Sequence, residues 1–85
     1  MNESTPPLIT VKCMVVCRDA RGILSLFPVR VQCTQHEVDE GGHRTEAREA
    51  AEMRGYHAIG DVFDQDNPTG RLILDKFDWA ATDVA

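Results

Sequence analysis

Ile9-Thr10-Val11-Lys12-Cys13-Met14-Val15-Val16-Cys17, then Ile23-Leu24-Ser25-Leu26-Phe27-Pro28-Val29-Arg30-Val31-Gln32-Cys33, decide the fold of this chain. Both runs alternate with period two, which places successive side chains on opposite faces of a strand. Ile9, Val11, Cys13, Val15 and Cys17 share one face of the first strand; Thr10, Lys12, Met14, Val16 and Arg18 share the other. Their β-branched content also favours strand. Between the runs, Arg18-Asp19-Ala20-Arg21-Gly22 reads as a turn. A five-residue loop at 18–22 would set Cys17 opposite Ile23, Cys13 opposite Phe27, Val11 opposite Val29 and Ile9 opposite Val31. That register puts both apolar faces on one side, whereas a loop one residue shorter would not. Pro28 belongs at a sheet edge or a bulge.

Downstream, Asp39-Glu40-Gly41-Gly42 ends the hairpin, and His43 to Arg54 is rich in helix formers. Ala47, Ala50, Ala51 and Arg54 recur at helical spacing, with Met53 beside them. A stripe this small lets a helix sit close to a sheet. Gly55 suits the C′ position, where glycine adopts a left-handed backbone without steric cost. Residues 57–63 and 71–77 read as two more strands, joined by the turn-rich stretch Asp64-Gln65-Asp66-Asn67-Pro68-Thr69-Gly70. The expected fold class is therefore α+β: a mostly antiparallel four-stranded sheet with one helix packed on a face, in the order ββαββ. Residues 1–7, with two prolines, read as a flexible leader, 8–79 as a single domain and 80–85 as a tail.

The 85 residues carry a net charge of −5. The charge is concentrated at one end. The last 25 residues hold Asp61, Asp64, Asp66, Asp75, Asp78 and Asp83, opposed only by Arg71 and Lys76. The acids are interleaved with Phe63, Phe77 and Trp79. An acidic balance disfavours direct contact with nucleic acid or an anionic membrane. No positively charged leader or long apolar run marks a secretory or membrane segment. Three cysteines lie within apolar strand patterns, which points to reduced thiols and a cytoplasmic location.

The motifs that could carry chemistry fall short of their templates. Cys13 and Cys17 share a face, but four strand residues separate them by ~13 Å. Zinc holds each thiolate at about 2.3 Å, so the two read as buried apolar thiols instead. His36, Asp39, Glu40 and His43 could form a loop metal site, although the histidines lack the spacing of a helical metalloprotease motif. Gly41-Gly42 lacks the lysine of a phosphate-binding loop. Asp64-x-Asp66 lacks the closing glutamate of a calcium loop. Cys33 and His36 would face opposite sides of a strand, and neither Ser4 nor Ser25 sits in a nucleophile elbow.

In general character the chain resembles the small accessory proteins of phages and other mobile elements, anti-CRISPR inhibitors among them. The stretch from Val29-Arg30-Val31-Gln32-Cys33-Thr34-Gln35 through Gly55-Tyr56 has the look of phage or plasmid open reading frames. The resemblance implies a small sheet with one helix and a negative surface that occupies a nucleic-acid site on a larger protein. It transfers no functional residue. The residues themselves point the same way, to a non-enzymatic inhibitor or accessory protein without cofactor or metal that engages a basic surface. Asp61, Asp64, Asp66, Asp75 and Asp78 would supply the field, with Phe77 or Trp79 as anchor. Two alternatives are a small metal-binding protein or metal-dependent enzyme built on the histidine cluster, and a subunit of a homo-oligomer that pairs through a strand edge.

Overall fold

A computed structural model describes residues 6–64, 79 and 82–84. Two long strands, β1 (Ile9–Arg18) and β2 (Leu24–Cys33), form the hairpin. They are followed by a short helix α1 (Gln35–Asp39), the main helix α2 (Gly42–Met53), β3 (His57–Phe63) and a two-residue strand β4 (Asp83–Val84). The sheet order is β3-β1-β2-β4, with β1 antiparallel to both β2 and β3 and β4 parallel to β2. The α+β class holds, with two helices where one was expected. The strand expected at 71–77 lies outside the described residues.

The hairpin register differs from the expected one by two residues. Cys17 faces Ser25, Cys13 faces Val29, Val11 faces Val31 and Ile9 faces Cys33. Alternation could fix only the parity of the pairing, because a two-residue slip leaves every side chain on its face. The turn fixes the rest. Asp19 N–H donates to the Ile23 carbonyl at 2.9 Å, and Gly22 N–H donates to the Asp19 carbonyl at 2.9 Å. Asp19 Oδ1 accepts from the N–H groups of Arg21 and Ile23 at 2.9 and 3.0 Å. Gly22 takes the left-handed φ of 80° that a three-residue hairpin loop requires after its first turn. Asp19 and Ile23 therefore close the ladder, and the loop is the three residues 20–22 rather than the five residues 18–22. Pro28 sits one residue before the β4 pairing begins, where that side of β2 is open among the described residues.

The inner face follows from the alternation. Val11, Cys13, Val15 and Cys17 pack with Phe27, Val29, Val31 and Cys33, beneath Ala47, Ala50 and Ala51 of α2 and beside Val62 of β3. Tyr56 closes one end, its ring centroid 5.3 Å from that of Phe27. Thiols and alanines are small, so the helix rests close to the strands. Gly55, just past the helix, has φ 88° and supplies the left-handed C-terminal turn.

Before it, α1 occupies a stretch where the end of the hairpin was expected. Thr34 Oγ1 accepts from the Glu37 N–H at 3.2 Å, and Glu37 Oε1 accepts from the Thr34 N–H at 3.0 Å. This reciprocal capping box satisfies two donors at the start of the helix. These bonds from Thr34 also hold the Glu37 carboxyl below its usual range.

All three cysteines are buried and unpaired. Burial, with Asp64 nearby, pushes the Cys13 thiol up from 9.0 to about 12, and burial raises Cys17 and Cys33 as well. A raised thiol favours the folded state below its unfolded value, and that contribution fades as pH climbs from about 9 towards 12. The native protein should therefore react with a thiol-specific disulfide reagent at pH 8 at least about a hundredfold more slowly than the urea-unfolded chain, because the thiolate is the nucleophile. Comparable rates in the two states would contradict this packing.

Candidate functional site

The described residues bring one set of ionisable groups together inside the protein, and the sequence did not announce it. His43 and Arg44 lie in the first turn of α2, and Asp64 follows directly on β3. Asp64 Oδ2 lies 2.6 Å from His43 Nε2, 3.1 Å from Arg44 Nε and 3.0 Å from an Arg44 terminal nitrogen. His43 and Asp64 are each 1% exposed, whereas Arg44 reaches the surface. An oxygen that accepts two bonds from a guanidinium accepts the third as well, so His43 Nε2 carries a hydrogen. The neutral tautomer then leaves its lone pair on Nδ1, which is buried and has no hydrogen-bond partner among the described residues. A cleft of about 160 Å³ lies alongside, lined by Ile9, Thr10, Val11, Gln35, Val38, His43 and Asp64.

A carboxylate orienting a histidine is one half of a catalytic constellation; the other half is an activated nucleophile. The nearby thiol, Cys13, is held protonated by its surroundings and donates weakly to the Val11 carbonyl. Among the described residues the cluster therefore acts as a clasp. It ties the start of α2 to the end of β3 across 20 or 21 positions of sequence.

The other residues of interest are dispersed. His36 Nε2 and Glu40 Oε1 form an exposed pair at 3.2 Å along α1, and Asp39 accepts from Gln35 at 3.0 Å. His43 turns inward to Asp64, so these four do not converge. No group of three or more His, Cys, Asp or Glu among the described residues could hold a metal ion. Asp61 is exposed on β3, beside Arg44 and Arg48. Asp64 directs its charge to His43 and Arg44 rather than to solvent. Trp79 is only 8% exposed and packs on Met14 and Phe63, with the Lys12 ammonium 5.9 Å from its ring centroid. To act as an anchor it would have to leave Met14. Asp66, Asp75, Phe77 and Asp78 lie outside the described residues.

The described surface keeps large apolar side chains in water. Leu24 and Leu26 on β2 and Ile59 on β3 are exposed, as are Met53 on α2 and Val84 on β4. Carboxylates flank some of them, with Asp61 and Glu49 exposed and Glu46 half-buried. Asp61 lies two residues from Ile59, and Glu49 and Glu46 precede Met53 on the helix. Alternation located the strand leucines but could not tell which sheet face stays open. No helix among the described residues is long and apolar enough to cross a membrane. Neither a family model, nor a curated protein, nor a solved structure matches the chain.

Proposed function

We propose that this chain is a non-enzymatic inhibitor or accessory protein that binds a basic surface of a larger protein, of the kind that otherwise holds nucleic acid. The observation that carries the reading is the exposure of large apolar side chains next to carboxylates: Met53 and Val84 near Glu46 and Glu49, and Ile59 near Asp61. Apolar surface rimmed by polar groups marks interaction sites on small proteins. The net charge of −5 adds long-range attraction for a basic partner and accelerates encounter more than it tightens the complex. The unpaired buried thiols fit work in a reducing compartment such as the cytoplasm.

Affinity capture at low and high salt, with mass spectrometry of the retained proteins, tests the reading. A basic nucleic-acid-binding protein should be retained at low salt and lost at high salt. A nucleic-acid-guided nuclease as that partner would narrow the reading to the anti-CRISPR type. Retention of no such partner, or retention indifferent to salt, would remove it. A second copy of the chain as the sole partner, seen by light scattering, would favour a homo-oligomer instead.

A further inference from the structure

The helix face Glu46, Glu49, Ala50 and Met53 follows the spacing i, i+3, i+4, i+7, so these four residues form one continuous stripe on α2. Val84 of β4 stands across from it. Together with Arg54 they enclose a groove of about 410 Å³. Ala50 in its lining is buried, whereas Met53 and Val84 are 79% and 46% exposed. A methionine left this open on a helix is a flexible, polarizable contact of the sort found on peptide-binding surfaces. Glu46 and Glu49 stand at one end.

The charges of the helix are not used alike. Glu52 accepts from the Ala58 N–H at 2.8 Å and lies 3.5 Å from His57, so it secures the start of β3. Glu46 and Glu49 have no hydrogen-bond or ion-pair partner among the described residues. The groove thus offers an apolar slot lined by two carboxylates and one guanidinium, Arg54, so that its acids outnumber its bases by one. A basic side chain next to an aliphatic one matches both features. An acidic segment would meet repulsion at the lip, and a purely apolar one would leave the carboxylates unmatched.

We infer that the groove between α2 and β4 binds a short basic segment of a partner protein, with one aliphatic side chain between Met53 and Val84 and a flanking arginine or lysine on Glu46 and Glu49. The inference rests on the proposed function and names the surface that carries it out.

The full chain, with methionine methyl groups labelled with carbon-13, provides the test. Met53 reports from the groove and the buried Met14 serves as internal control. The probe is a synthetic hexapeptide in which arginines flank a central leucine. Its controls carry glutamates in place of the arginines, or alanine in place of the leucine. The arginine–leucine peptide should shift the Met53 methyl resonance saturably and leave Met14 unmoved. Replacing Glu46→Lys together with Glu49→Lys should weaken binding about tenfold, as reversal of close complementary charges does. A Met53 resonance that stays still, an equal response to the acidic peptide, or unchanged affinity in the double variant would overturn the inference. A basic partner that is captured by the native chain and binds the double variant equally well would also sink the groove while leaving the proposed function standing. Peptide binding in the groove without any captured basic partner would do the reverse.

Discussion

Asp64→Ala should lower the unfolding free energy by about 3 kcal/mol, within the range for breaking a buried ion pair from one side. The substitution leaves His43 fully enclosed with neither ring nitrogen hydrogen-bonded to a described residue. An unsatisfied buried donor alone costs ~1–3 kcal/mol. Arg44 loses the same partner at smaller cost, because its side chain is 46% exposed and water can replace the carboxylate. For a domain of this size, 1 kcal/mol moves the melting temperature by ~4–8 °C, so a fall of at least about 12 °C is expected. Asp64→Asn should recover about half of the loss, since its amide oxygen still accepts from Nε2–H while the charge is gone. A double-mutant cycle with His43→Ala should return a coupling of about 1–3 kcal/mol. A loss below about 1 kcal/mol for Asp64→Ala would mean that the clasp is not a structural tie.

Met14→Ala should cost about 2–4 kcal/mol, as large-to-small changes at buried methionines do. Met14 is fully buried although it projects from the sheet face opposite the helix. Among the described residues it packs on Trp79, with Phe63 alongside, so the outer face holds a second small cluster. Removing the thioether takes away the surface on which the indole sits and opens a void under it. Trp79 is the single tryptophan, so its fluorescence reports the site without ambiguity. The emission should move to longer wavelength in the folded variant as water gains access to the ring. Unchanged emission together with a loss under about 1 kcal/mol would show that the indole does not rest on Met14. The expected loss is large against the 5–15 kcal/mol that holds typical domains together.

Much of the architecture was legible from local pattern. Alternation in residues 9–17 and 23–33 named the two long strands and their buried faces. The helix of residues 42–53 was located to within one residue, with Ala47, Ala50 and Ala51 on its inner side and Gly55 as its terminator. Residues 57–63 formed the expected strand. Within β3, a Cβ at Gly60 would lie 3.0 Å from Val16 Cβ, so any larger residue there requires Val16 to give way. That close approach belongs to a bulged pairing, in which two steps along β1 span four along β3. No one-dimensional pattern encodes it. The capping box Thr34-x-x-Glu37 was a readable signal for α1, passed over because the hairpin was expected to end only at Asp39–Gly42.

The site was less legible. His43 was read with His36, Asp39 and Glu40 because the four are near in sequence, yet the helix turns His43 inward while α1 keeps the others in water. Its partner, Asp64, looked like one more acid in a turn and lies 21 positions away. By itself the sequence determined which segments become strand and helix, and which faces of them are apolar. Those are properties of periods of two and of three to four residues, repeated along the chain. Only the tertiary structure decided the register of the hairpin, the seating of Trp79 on the outer sheet face, and the burial of Asp64 against His43 and Arg44. A two-residue slip keeps every side chain on its face, so alternation leaves the register to the hydrogen bonds of the closed turn, and a charge becomes internal only when distant elements close around it. The outcome therefore depended on distances between segments rather than on the order of residues within them.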